Sequence, residues 1–136
     1  MTRIRVPATT ANMGPGYDVL GAALTLYAYF DAEPSETYEV SGCPEAYQNE
    51  DNMVIQSYKR TLSLCGRPDA PIRLHEETEV PIARGLGSSS TCIVAGIMAA
   101  DRLQGLGLSR DDMVSMATDI EGHPDNVAPA VYGGGV

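Results

Sequence analysis

Pro81-Ile-Ala-Arg-Gly-Leu-Gly-Ser-Ser-Ser-Thr91 is the stretch on which the reading of this chain turns. It joins the end of a strand to a run, Ser88 to Leu103, with helical character. Gly85 and Gly87 let the backbone turn and come close to whatever binds. Ser88, Ser89, Ser90 and Thr91 follow, each with a hydroxyl and a backbone N–H. A helix starting here has unpaired N–H groups and a partial positive charge at its first turn, which makes an anion seat with phosphate as the obvious anion. It is not a Walker A loop, which needs a Lys after its last glycine; the sole lysine is Lys59. Nucleotide bound here would be held by backbone dipoles and hydroxyls, with Arg84 and a metal ion as helpers. The plainer alternative is a Gly-Ser turn ahead of a tightly packed helix, and that run carries Ala95, Gly96, Ala99 and Ala100, which permit close packing against a sheet or a ligand.

Working outward, Ile72 to Thr78 reads as the strand before the loop, with Ile72 and Leu74 alternating against Arg73 and His75. Arg3 to Ala8 alternates in the same way and reads as a half-buried strand. It runs into a loop from Pro7 to Asp18 rich in Pro, Gly, Thr and Asn. A strand is expected from about Leu24 to Glu33. Pro34-Ser35-Glu36 is a turn, and Thr37 to Ser41 is the second strand of a hairpin. Gly42 to Asp51 is a polar loop. Asn52 to Cys65 reads as a helix: Asn52 caps it, Val54, Ile55, Tyr58, Leu62 and Cys65 recur at helical spacing, Gly66 suits the position after its end, and Pro68 stops it. Ser109 to Ile120 is another helix, with Ser109 as cap, Asp112 at the capping-box position, and Met113, Met116, Ala117 and Ile120 as its apolar stripe. Gly122-His-Pro-Asp-Asn126 ends it, and Pro124 opens a short helix through Ala130.

The chain has 136 residues, 43% of them hydrophobic, enough for one domain over residues 1–136 with a real core. The formal net charge of −9 argues against non-specific nucleic-acid binding and against an anionic membrane surface. It does not exclude a nucleotide, because local dipoles and Mg²⁺ outweigh a diffuse field. Cys43, Cys65 and Cys92 are odd in number and show no metal-binding or redox spacing. Cys92 reads as a packed thiol. No signal peptide is visible, and no apolar run approaches the roughly 20 residues of a membrane span. The expectation is a soluble, cytoplasmic protein. The sequence stops at Gly133-Gly-Gly-Val136, within a turn signal, so the expectation is also the first part of a longer protein.

Three polar, glycine-bearing segments stand out: Asn12 to Asp18, Gly85 to Thr91, and Glu121 to Asn126. Three in one small domain point to a shared cleft, although a sequence does not show that they meet. Mg²⁺ takes one or two carboxylates or hydroxyls plus phosphate oxygens; Glu121 and a serine of the Gly-Ser loop suit it, though Glu121 also reads as a solvated helix end. His123, constrained between Gly122 and Pro124, can bind a substrate carboxylate or hydroxyl, or cap the preceding helix. Asn12 and Asp18 can accept from a substrate ammonium or hydroxyl, or form Asx turns. His75 reads as a surface residue. Two histidines and three scattered cysteines show no zinc spacing, and no GxSxG elbow marks a serine hydrolase.

Together these segments resemble a known family. Pro7-Ala-Thr-Thr-Ala-Asn-Met-Gly-Pro-Gly-Tyr-Asp-Val-Leu-Gly21 resembles the opening motif of the homoserine kinases. Pro81 to Thr91 looks like the phosphate loop shared by the GHMP kinases, the galactokinase, homoserine, mevalonate and phosphomevalonate kinases. Ile120-Glu-Gly-His-Pro-Asp-Asn-Val-Ala-Pro-Ala130, followed by Gly133 and Gly134, is similar to the third homoserine kinase segment. The first and third segments are the specific ones. Met13 and Tyr17 stand where Leu and Phe are more usual, and both keep size and apolarity.

The resemblance implies an α+β fold, the amino-terminal GHMP domain, like ribosomal protein S5 domain 2, with a mixed sheet packed against helices. It implies ATP-dependent phosphorylation of the L-homoserine hydroxyl on the route to threonine. Pro81, Ile82, Ala83, Arg84, Gly85, Leu86, Gly87, Ser88, Ser89, Ser90 and Thr91 would bind ATP. Ser88 or Ser89 and Glu121 would hold Mg²⁺, and Asn12, Asp18 and His123 would bind homoserine. Ser88, Glu121, Asp125 and Asn126 would serve the reaction, the last two by orienting substrate or neighbouring loops. The carboxy-terminal domain of such kinases is absent from these residues. We therefore expect weak or no turnover from this chain alone, and self-association, as a homodimer, through the face that domain would cover. Another GHMP kinase, or a non-catalytic nucleotide- or amino-acid-binding module, remains an alternative.

Overall fold

The structure, a computed structural model, describes residues 1–7, 27–43, 45–78, 88–121, 130–132 and 134. Among these residues lie strands β1 (Thr2–Pro7), β2 (Tyr27–Pro34) and β3 (Glu39–Ser41), helix α1 (Met53–Leu64), strand β4 (Ile72–Thr78), and helices α2 (Ser88–Gln104) and α3 (Arg110–Glu121). A 3₁₀ turn over Glu45–Tyr47 precedes α1.

The four strands form one mixed sheet in the order β1-β2-β4-β3. β1 and β4 flank β2 antiparallel, with Ile4 opposite Phe30 and Ala32 opposite Leu74. β3 runs parallel to β4, with Val40 opposite Leu74. This corrects the hairpin expected between β2 and β3. Both edges of β2 are taken by β1 and β4, and after Pro34 the Ser35 N–H bonds the carbonyl of Pro71 at 3.0 Å. Side-chain alternation fixes which face of a strand is buried; it does not name the strand's neighbour.

One face of the sheet is apolar. Ile4, Val6, Ala28, Phe30, Ala32, Val40, Ile72 and Leu74 are buried there in the core with residues of α1 and α2. The other face is polar. On it Arg3 bonds Asp31 at 3.0 Å and Glu77 at 2.8 Å, and the guanidinium groups of Arg3 and Arg5 lie over the rings of Tyr29 and Tyr27. Glu76 breaks the apolar rule. It occupies an inward position of β4, and Asn52 Nδ2 donates to it at 2.7 Å. Burial raises its carboxyl above the ordinary carboxylate value, opposed by hydrogen bonds from Asn52 and Cys43.

The helices begin and end where local chemistry asks. The Asn52 side chain accepts from the N–H groups of Val54 and Ile55 at 2.8 and 3.4 Å. At the far end of α1, Gly66 has φ of 68°, a left-handed conformation that glycine adopts without a Cβ clash. Its N–H bonds the Ser63 carbonyl and the Arg67 N–H bonds the Leu62 carbonyl, which closes a Schellman motif. α3 opens on a reciprocal capping box: Asp112 N–H donates to Ser109 Oγ and Ser109 N–H to Asp112 Oδ2, both at 3.0 Å. The small residues of α2 serve its contact with α1. A Cβ on Gly96 would stand 2.5 Å from the Val54 carbonyl oxygen, so the two backbones approach as closely as glycine permits. Ser57 Oγ seals that contact by donating to the Ile93 carbonyl at 2.6 Å. Met113 and Ala117 of the expected α3 stripe are buried, with Met116 and Ile120 packed at the margin.

Candidate functional site

The sheet register brings several chain ends to one end of the molecule. Pro7, the last residue of β1, pairs with Tyr27, the first of β2, and Thr78, the last of β4, pairs with Ala28. The segments 8–26 and 79–87 are therefore rooted side by side. The second of them leads into Ser88, where α2 begins.

Two hydroxyls in the first turn of α2 tie this end together. Thr91 Oγ1 donates to the Pro7 carbonyl at 3.2 Å, across 84 positions of sequence. Ser90 Oγ lies 2.9 and 3.1 Å from the two carboxylate oxygens of Glu121, the last residue of α3. Both hydroxyl residues are nearly fully buried. The segment 122–129 thus begins beside the same helix start. The roots of the three polar segments singled out in the sequence meet around the first turn of α2.

The electrostatics of that point are specific. The amino end of α2 carries partial positive charge and has no acidic residue of its own in the first turn. Glu121 brings a carboxylate to it from another element. It sits in the last turn of α3, where the helix dipole disfavours an anion. A helix start, a carboxylate and neighbouring hydroxyls are a hard-oxygen set. They suit a divalent cation that also takes ligand phosphate oxygens, and the helix start suits the phosphates themselves.

Of the expected site residues, Ser88 and Ser89 are the first two helical residues of α2, Ser90 and Thr91 are buried with the partners just given, and Glu121 closes α3. Asn12, Asp18, Pro81, Ile82, Ala83, Arg84, Gly85, Leu86, Gly87, His123, Asp125 and Asn126 lie outside the described residues, as does the start of the short helix expected from Pro124; its last expected residue, Ala130, is helical and buried.

The sequence reading missed a polar cluster beside this end of the sheet. Glu76, two residues before Thr78, accepts from Asn52, whose Nδ2 also donates to the Tyr47 carbonyl at 3.1 Å and approaches Cys43 Sγ at 3.9 Å. Burial pushes the Cys43 thiol up to about 11 and the Cys92 thiol up to about 12. Both stay protonated near neutral pH and are poor nucleophiles. The signal was present in the period of β4: Ile72, Leu74 and Glu76 share a face. A cavity of about 350 Å³ lies at the other end of α2, between Met98, Asp101, Arg102, Ser109, Arg110 and Met113. It is remote from the loop roots, since Asp101 follows Ser88 by 13 residues, roughly 20 Å of helix. Two of its rim charges are engaged, Asp101 accepting from the Leu108 N–H and Arg110 donating to the Gly134 carbonyl.

A helix start at the end of a mixed sheet, with a carboxylate brought to it from α3, suits a phosphate-bearing ligand, and comparison with known proteins gives the family. The family model of the GHMP kinases N terminal domain matches residues 52–134, and the chain belongs to that family. It is 46% identical over 136 residues to a homoserine kinase of Clostridium beijerinckii, covering 98% of this chain and 46% of the relative. It is 41% identical over 135 residues to a homoserine kinase of Clostridium botulinum, at the same coverage. Among solved structures, a Listeria monocytogenes protein assigned as a homoserine kinase superposes with a TM-score of 0.69 at 42% identity, over 94% of this chain and 46% of that one. The Methanococcus jannaschii mevalonate kinase superposes with a TM-score of 0.66 over 96% of this chain and 51% of its own; at 14% identity the likeness is one of fold alone. The chain spans about half the length of the curated relatives it matches.

Proposed function

We propose that the protein is the amino-terminal, nucleotide-binding part of a homoserine kinase, which transfers the γ-phosphoryl group of ATP to the side-chain hydroxyl of L-homoserine. The products are O-phospho-L-homoserine and ADP. The observation that carries the reading is the Glu121 carboxylate held at the first turn of α2 by Ser90, at the point where the three motif-bearing segments are rooted. The 41–46% identity to homoserine kinases supports this acceptor over others of the family.

In this reading the backbone of the segment Pro81 to Thr91 wraps the phosphates, whose charge is met by the N–H groups at the start of α2. Ser88 or Ser89 and Glu121 would hold Mg²⁺, which would supply neutralisation of the phosphate charge. Asn12, Asp18 and His123 bind the amino acid. Asp125 and Asn126 orient it or the neighbouring loops. The acceptor oxygen forms a bond to the γ-phosphorus as the bond to the bridging oxygen breaks, ADP leaves, and the hydroxyl proton is released to solvent. Positioning and electrostatics carry such a transfer. The setting is cytoplasmic amino-acid biosynthesis, with the protein as a homodimer.

The test is calorimetric titration with Mg·ATP, with and without L-homoserine, on the wild type and on Glu121→Gln. The expected result is Mg·ATP binding that L-homoserine strengthens and mevalonate does not. Glu121→Gln should weaken the magnesium-dependent part by at least about tenfold. Equal enhancement by mevalonate would move the protein to another branch of the family. Nucleotide binding indifferent to both acceptors would favour a binding module.

A further inference from the structure

We infer that Ser90 is a positioning residue, whose buried hydroxyl holds the Glu121 carboxylate in place at the start of α2, and that it is not a phosphate ligand. The inference rests on the kinase reading above.

The side that Ser90 addresses is occupied by α3. Its hydroxyl has a single proton, and both oxygens of Glu121 are within hydrogen-bond range, at 2.9 and 3.1 Å. Ser90 is only 3% exposed, so its oxygen cannot meet a phosphate at the surface without leaving this seat.

Glu121 ends α3, at the negative pole of that helix. The positive pole of α2 draws the carboxylate across. A pole attracts charge without fixing its orientation, whereas a hydroxyl on the fork of the carboxylate fixes the plane of the group. Carboxylates that bind metals are themselves held by hydrogen bonds, and removal of such a support typically costs 10–100-fold in metal affinity or activity. Thr91, the next residue, braces a different element, the end of β1. The hydroxyls at 90 and 91 thus secure the frame around the helix start.

The test uses Mn²⁺ as the metal, followed by electron paramagnetic resonance in the presence of ATP, with ATP binding also measured without metal. Wild type, Ser90→Ala, Ser90→Thr and Glu121→Gln are compared, with folding checked by circular dichroism. Ser90→Ala should weaken Mn²⁺ binding about tenfold and leave metal-free ATP binding unchanged, and Ser90→Thr, which keeps the hydroxyl, should restore Mn²⁺ affinity. Should the alanine variant not fold, Ser90→Cys, close in size but a weak donor, takes its place with the same expectation. Loss of metal-free ATP binding in Ser90→Ala would make Ser90 a phosphate ligand and overturn the inference. So would unchanged Mn²⁺ affinity in Ser90→Ala alongside a large loss in Glu121→Gln, a result that leaves the kinase reading standing. If neither variant alters Mn²⁺ binding, the metal role of Glu121 fails, and the inference falls with it.

Discussion

The first turns of α1 and α2 use their side chains in opposite ways. Asn52 at the start of α1 turns its oxygen onto the N–H groups of Val54 and Ile55, and its amide nitrogen onto Tyr47 and Glu76. Helix, preceding turn and strand are locked by one residue, and two of the helix's own donors are taken. At the start of α2, Ser90 and Thr91 send their hydroxyls sideways, to Glu121 on α3 and to the end of β1. A side chain spent on the N–H groups of its own helix stabilises the fold and closes that pole. A side chain spent on neighbouring elements fixes the surroundings of the pole, and that is the arrangement an anion seat requires. The contrast predicts that damage at the start of α1 is felt in stability and damage at the start of α2 in binding.

The largest expected effect on stability is at Asn52. Asn52→Ala removes a cap and strips a donor from the mostly buried Glu76, and should cost about 3 kcal/mol. The shift of the urea midpoint, at unchanged slope, measures it. A loss below about 1 kcal/mol would mean that Asn52 contributes no more than an ordinary surface cap, and the contrast would lose one side. Ser109→Ala tests the same idea with fewer bonds at stake. It opens the capping box of α3 at an exposed site and should cost about 1 kcal/mol.

These caps were legible in the sequence because they are local. Asn52 before an apolar period, Gly66 after it, and Ser109 three residues before Asp112 each state a rule that the neighbouring backbone obeys. The alternation of Ile72 and Leu74 against Arg73 and His75 was legible for the same reason. Contacts between distant residues were not. β3 was expected to fold back on β2 and pairs parallel with β4, because a three-residue strand carries a face but no address. The bond between Ser90 and Glu121 joins residues 31 positions apart, and no spacing rule announces it. The three glycine-bearing segments could be marked as chemical by composition, but that their roots converge follows from the register of Pro7 on Tyr27 and Thr78 on Ala28. Glu76 was overlooked because a charged residue on a strand is read as solvated by default, even when its period places it inside.

Thr91→Val sharpens the other side of the comparison. Valine keeps the shape of the buried side chain and loses the bond to the Pro7 carbonyl, which lies at a partly exposed strand end and can turn to water. Thermal unfolding should register only about 0.5 kcal/mol. A loss above about 1.5 kcal/mol would make the α2 start a structural cap in disguise and weaken the contrast drawn here.

The smallest effect is a slope. Glu76 is held by Asn52 through a charge-favouring hydrogen bond, yet burial outweighs that bond and raises its carboxyl above 4.5, the ordinary value. The folded protein therefore holds this proton more tightly than the unfolded chain does. The contribution of the group is fully present below the unfolded value and is lost as pH rises through the raised folded value. Glu76→Gln keeps an acceptor for Asn52 Nδ2 and has no charge to desolvate. Urea midpoints of wild type and variant should nearly coincide at pH 4, separate in favour of the variant as pH rises toward neutrality, and stay parallel above that. If the wild type is instead the more stable at pH 7, the bond from Asn52 to the ionised carboxylate outweighs its desolvation. The inward carboxylate would then be a support of the α1 start, whereas the direction of its shift makes it a burden that Asn52 offsets only in part.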